Sequence, residues 1–256
     1  MRILSAFYAS ALYIFIYLPV AVLVLFSFQS TLFPIPPFNG PSLRWYAAVL
    51  SDDRLTSGLE HSLLVALLSS FAATLLGFLA AWGFARFTLP ASALLRGLIT
   101  LPLTVSYLII GMGLLVVFTA IGMPKSLIAA GIGHVVINLP LCFAIIYSQM
   151  GDHQANIEKA ARDLGASEVQ VLTLVTAPML WPALFASFFL SMTFSWDEFV
   201  ISFLLTRFET TLPVEIWNLL RAGLSPKTNA VGSLVFGVSI IFAIIFEMVA
   251  FRKRPQ

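Results

Sequence analysis

From Ile3 to Leu43 the chain carries no charged side chain, and apolar runs of comparable length recur to its other end. A helix rises about 1.5 Å per residue, so about 20 apolar residues cross a hydrocarbon layer about 30 Å thick. Inside that layer only a helix or a closed barrel satisfies its own backbone groups. The runs therefore predict an all-α, polytopic membrane protein: one transmembrane domain over 1–256, with six spans at roughly 6–28, 62–82, 98–121, 127–147, 183–205 and 231–251.

Composition agrees. Hydrophobic residues make up 59% and charged residues 10% of the chain, against about one quarter charged in soluble domains. The first run is too long for a signal peptide and no small-x-small cleavage site follows it, so it reads as a span. A net charge of +2 needs no nucleic acid to explain it, because Lys and Arg collect on the cytoplasmic side of membrane proteins. Arg2 at one end and Arg252, Lys253 and Arg254 at the other place both termini in the cytoplasm, consistent with an even number of spans; Glu247 reads as a partner of that terminal cluster. The single cysteine, Cys142, lies in an apolar run and reads as a packing residue.

Within the spans, Ser69, Ala73, Gly77 and Ala81 repeat every fourth residue, a small-residue stripe against which another helix can pack closely. Pro102, Gly111 and Gly113 mark kinks or close contacts in the third span. His134 has no acid in its own span and reads as a hydrogen-bonded core residue rather than a proton relay. Gln29 to Glu60 reads as an external loop with a short helix and interfacial aromatics at Trp45 and Tyr46.

One long polar passage, about 150–180, interrupts the apolar pattern. Ile157, Ala160, Ala161 and Leu164 share a narrow apolar helix face beside Glu158, Lys159 and Asp163. Gly165, followed by Ala166, suits a left-handed helix end, and Ser167 with Gln170 has the form of a capping box. The second helix is expected to run to Thr176, where Pro178 and Pro182 interrupt it. This is the pattern of a docking surface.

The fifth span holds the one concentration of intramembrane charge, Asp197 and Glu198, flanked by Ser195, Trp196 and Phe199. Buried charge is costly and so marks function. On an unbroken helix Asp197 falls about 22 Å from Pro182. There Ser191, Ser195, Glu198 and Ser202 form a polar stripe suited to a pathway lining, with Asp197 beside Thr193. Acids among aromatics suit an ammonium substrate through ion pairing and cation–π contact. The chain contains no glycine-rich phosphate loop, H-E-x-x-H or G-x-S-x-G, so it reads as a non-enzyme with no catalytic residues, no metal ligands and no bound cofactor.

The polar passage resembles the loop of form E-A-A-x3-G-x9-I-x-L-P in inner-membrane permease subunits of ATP-binding-cassette importers. Lys159, Ala160 and Ala161 stand in the E-A-A places, Gly165 in the G place, and Val175, Ala177 and Pro178 in the I, L and P places. The departure is Lys159 for the glutamate, with an acid one residue earlier at Glu158. Gly40, Arg44-Trp45-Tyr46, His61-Ser62, and Leu212-Pro213 with Gly223-Leu224-Ser225-Pro226 resemble the polyamine branch, whose members also carry paired acids where Asp197 and Glu198 lie. That branch carries an acid early in the third span, where this chain reads Pro102-Leu103-Thr104-Val105-Ser106-Tyr107.

The resemblance implies a type I permease fold in the bacterial inner membrane. It also implies a pathway for a small amine such as spermidine or putrescine. The implied partners are a second, non-identical permease subunit, two ATPase copies that hold ATP and Mg, and an extracytoplasmic substrate-binding protein. The alternative is an ion-gradient-driven transporter using Asp197 and Glu198; such folds often have two inverted halves, and no matching repeat is visible.

Overall fold

The computed structural model describes the backbone of residues 2–223 and 225–250 and the side chains of 7–223 and 225–248. The Arg252-Lys253-Arg254 cluster and the Arg2 side chain, on which the orientation of the termini rests, lie outside the described side chains, as does Leu224. The elements are α1 (Arg2–Ser27), α2 (Arg44–Leu50), α3 (Asp53–Arg86), α4 (Ser92–Thr100), α5 (Tyr107–Ala120), α6 (Leu127–Tyr147), α7 (Asp152–Asp163), α8 (Glu168–Gln170), α9 (Ala177–Met179), α10 (Trp181–Trp196), α11 (Val200–Leu205), α12 (Leu212–Ala222) and α13 (Pro226–Ala250). The described residues form no named strand.

Among the described residues four helices are long and apolar enough to cross a bilayer, and two bent pairs bring the possible number to six. The fourth predicted span is α6, residue for residue, because Ser126 caps it by accepting from the Ala129 N–H at 3.2 Å. The second is longer than predicted. α3 already begins at Asp53, so the end of the expected external loop is the start of this helix.

The third and fifth spans are not single helices. α4 and a 3-10 turn over Leu101–Leu103 meet α5 at 107°, leaving α5 only 14 residues, or about 21 Å. Pro102 removes a backbone donor, and Ser106 caps a fresh helix by accepting from Leu108. The fifth span stops at Trp196 and resumes at Val200, with Asp197, Glu198 and Phe199 between.

The chain divides into two compact units: one from the chain up to Leu59 with Leu212–Ile241, the other from Glu60–Thr211 with the stretch from Phe242 onward. In the first, α1 is apolar on every side and none of its apolar window is buried, as suits a helix facing lipid or another subunit. The loop after it is built on the buried Gln29. Its side-chain carbonyl accepts from Asn39 N at 2.9 Å, and its amide donates to Ile35 O at 3.2 Å and Pro37 O at 3.1 Å. Trp45 Nε1 donates to the Gln29 carbonyl at 2.7 Å, so Trp45 of α2 is buried against this loop as well as being a ring stacked with Arg44. Lys227 donates to Asp52 Oδ2 at 2.5 Å, and this bond holds the Asp52 carboxyl below the ordinary aspartate range.

In the second unit α6 lies between its neighbours, with two apolar clusters. One gathers Phe118, Ala130, Ile137, Ile201 and Leu205; the other gathers Phe78, Ala81, Phe143, Ile146 and Leu180. The predicted stripe on α3 does pack: Ser69, Ala73 and Ala81 are buried, and a Cβ on Gly77 would come within 2.9 Å of Cys142 Cβ and Phe143 N on α6.

Candidate functional site

The polar loop is set by local chemistry. Asp152 in the first turn of α7 and Arg162 in its last complement the helix dipole. α7 ends where Gly165 takes φ +90, with Gly165 N donating to Arg162 O at 2.8 Å and Ala166 N to Ala161 O at 3.1 Å. The Ser167–Gln170 capping box is present in both directions and opens α8. Beyond it the expected stop at Thr176 is displaced. A π-turn over Val171–Thr176 leads into α9, Pro178 sits in the first turn of α9, and the 74° bend falls between Met179 and Trp181.

α7 has two unlike sides. Ile157 and Ala160 are exposed, Ala161 is half-buried, and Leu164 is 89% exposed, so the apolar face has no partner within the described chain. Lys159, Asp163, Gly165 and Pro178 are also exposed, and Ala166 is half-buried. Glu158 points the other way and is fully buried. Its carboxylate accepts from Arg86 Nε at 2.6 Å, Arg86 Nη2 at 3.2 Å and Thr176 Oγ1 at 3.0 Å. Arg162 approaches it at 3.9 Å while pairing with Glu168 at 2.7 Å. One side chain of α7 is thus tied to the end of α3 and to the turn that leads into α10. Sequence reasoning named Glu158 and missed its pairing with Arg86. The available signal was that Glu158 is three residues from both Ala155 and Ala161, two half-buried small residues at the inner edge of the apolar face.

The break in the fifth span redistributes the acidic residues. Asp197 caps the C-terminal end of α10 and is exposed; Glu198 is 5% exposed and turned into the protein. The Glu198 carboxylate accepts from the backbone N–H of Val200 at 2.8 Å, Ile201 at 2.9 Å and Ser202 at 3.2 Å, the unpaired donors that open α11. His134 on α6 spans the same break. Its Nδ1 lies 2.6 Å from Ser195 Oγ, and its Nε2 lies 3.0 Å from Ser202 Oγ and 3.5 Å from Glu198 Oε2. Ser195 also meets Ser69 of α3 at 3.0 Å.

The expected lining is therefore corrected. Ser191, Ser195, Glu198 and Ser202 are buried within this chain rather than turned to a surface. Trp196 is buried edge-on to Phe242 at 5.8 Å; Phe199 is half-buried, 5.3 Å from Phe203. Asp197 alone of the two acids reaches the surface. The reading of His134 as a bonded core residue holds, but its acidic neighbour comes from another span. Among the described residues no three His, Cys, Asp or Glu side chains converge as metal ligands.

The family model of the binding-protein-dependent transport system inner membrane component matches residues 73–255. The chain belongs to this family. Both centres described above, the α7 loop and the broken span, lie within the matched region of this inner membrane component. It is 34% identical over 251 residues, 94% of this chain and 89% of the relative, to the putrescine transport system permease protein PotI of Escherichia coli (strain K12). It is 29% identical over 254 residues, 98% of this chain and 96% of the relative, to the spermidine/putrescine transport system permease protein PotC of the same strain.

A bacterial ABC transporter involved in the import of the acidic polysaccharide alginate has the same fold, with TM-score 0.68, 19% identity, and coverage of 99% of this chain and 97% of that one. The alginate transporter in complex with an alginate pentasaccharide-bound periplasmic protein superposes with TM-score 0.71 at 14% identity, covering 98% of this chain and 94% of that one. The inner membrane component is thus an ABC permease with a type I fold. Family membership does not favour the ion-gradient alternative.

Proposed function

We propose that this chain is a permease subunit of an ATP-driven importer of polyamines, of the spermidine and putrescine class, powered through α7. The supporting observation is the two-sided α7: an unpartnered apolar face outward and a buried carboxylate inward. An ATPase that moved α7 would pull, through Glu158, on Arg86 of α3 and Thr176 ahead of α10 together. A rigid lever of this kind delivers a displacement to two membrane helices at once. ATP and Mg belong to the ATPase copies, and this chain holds no cofactor. Both termini and α7 lie in the cytoplasm; a second, non-identical permease completes the pathway, and an extracytoplasmic binding protein delivers the substrate.

Asp197 is the residue that meets the ammonium groups, since an exposed carboxylate near the apolar interior attracts a cation strongly. The polyamine class draws its support from the names of the two relatives. Reconstitution of the whole transporter in proteoliposomes tests the proposal. Putrescine uptake should require ATP inside the cleft of the ATPase and the binding protein outside. Uptake by this chain alone under an ion gradient would overturn it.

A further inference from the structure

The geometry points to Glu198 and His134 as positioning residues: a cap and a clamp that fix the break in the fifth span and thereby hold Asp197 at the surface. This deepens the transport reading above and rests on Asp197 being the acid that meets substrate. Two independent observations carry it. First, the Glu198 carboxylate is occupied by three successive backbone N–H groups of Val200, Ile201 and Ser202, and it is buried, so it has no face to offer a ligand. Second, His134 reaches from α6 to a hydroxyl on each side of the break, Ser195 at the end of α10 and Ser202 in α11.

Without the break, an uninterrupted helix would carry Asp197 and Glu198 about 100° apart around one axis. With it, one acid closes the gap and the other is left outside. α11 has only six residues, too few to persist without its cap and its packing on α6. Two adjacent acids therefore do different work, and the buried one acts through its neighbour.

The test uses the assembled, detergent-purified transporter. Cys142→Ala removes the single native thiol, and Asp197→Cys introduces a reporter at the break. A small charged methanethiosulfonate then reads its exposure, with no dependence on which substrate is carried. Glu198→Ala and His134→Leu should each change the labelling rate by about fivefold or more, the factor carried by losing one helix cap, and Glu198→Gln, which keeps one acceptor, by less. In the chain with Asp197 intact, Glu198→Gln should lower the maximal putrescine uptake rate with little change in KM.

Unchanged labelling in both the Ala and Leu variants would overturn the proposal. A raised KM with unchanged labelling would also overturn it, placing Glu198 in contact with substrate. If either variant does not assemble, Glu198→Gln and His134→Asn carry the same comparison. Absence of putrescine transport by the unsubstituted transporter, with the labelling changes found as expected, would count against the polyamine reading alone.

Discussion

Replacing Glu158 with alanine strips a buried arginine of its partner. Arg86 is only 10% exposed and Glu158 not at all, and two hydrogen bonds at 2.6 and 3.2 Å join them. Breaking a buried pair from one side costs about 3–5 kcal/mol, because the remaining charge is desolvated and unpaired. The slight exposure of Arg86 favours the lower end, about 3 kcal/mol. The loss falls locally, on the docking of α7 against α3, so hydrogen–deuterium exchange of the α7 amides is the assay. Exchange should quicken roughly a hundredfold in Glu158→Ala, since each 1.4 kcal/mol or so is a factor of ten. The double variant Arg86→Met/Glu158→Leu should recover most of that protection, since apolar replacement of both partners of a buried pair is often neutral. A change below about fivefold in the single variant, or a double variant no better than the single, would refute the claim that this pair anchors α7.

Other expectations follow from individual contacts. Gly165→Ala should weaken the end of α7 by about 1 kcal/mol, since a Cβ there meets nothing within 4 Å and the whole cost is the positive φ; exchange at Arg162 to Ala166 reads it. Gly77→Val should separate α3 from α6 and lower the thermal midpoint of the purified protein, by about 1–3 kcal/mol of overpacking, because the added atoms collide with backbone. Because Lys227 lowers the folded pKa of Asp52, their pair stabilises the external loop fully above the ordinary aspartate range, and that stability is lost as pH falls below about 4. In Asp52→Asn the loop should lose that contribution, and local exchange should be faster at neutral pH with a smaller further rise on acidification.

The parts of the fold legible in the sequence are those fixed by neighbours in the chain. α6 was readable because its apolar run is bounded by a Ser cap, and the caps of the polar loop because Gly165, Ser167 and Gln170 act within a few residues of themselves. Hydropathy could not reveal the breaks at Thr104–Ser106 and Asp197–Phe199. The apolar run continues across the first, where Pro102 and the Ser106 cap stop and restart the helix, and at the second the two acids mark a costly site without showing that Glu198 turns back to cap a new helix. The second break had a further effect: the assignment of faces to Asp197 and Glu198 assumed an unbroken helix and so put the buried acid in the lining. The Arg86–Glu158 pair lies 72 positions apart and required the tertiary arrangement. Lys159 in the family's glutamate place drew attention in the sequence, while the neighbouring Glu158 makes the structural contacts.

In the proposed importer, power enters through the outward face of α7, where Leu164 stands 89% exposed. Leu164→Cys in the Cys142→Ala background, treated with a short thiol-to-amine crosslinker in the assembled transporter, measures this directly. Crosslinking to the ATPase subunit is expected, at a yield that changes with bound ATP. ATP-driven uptake by a transporter in which that position never crosslinks to the ATPase would contradict it.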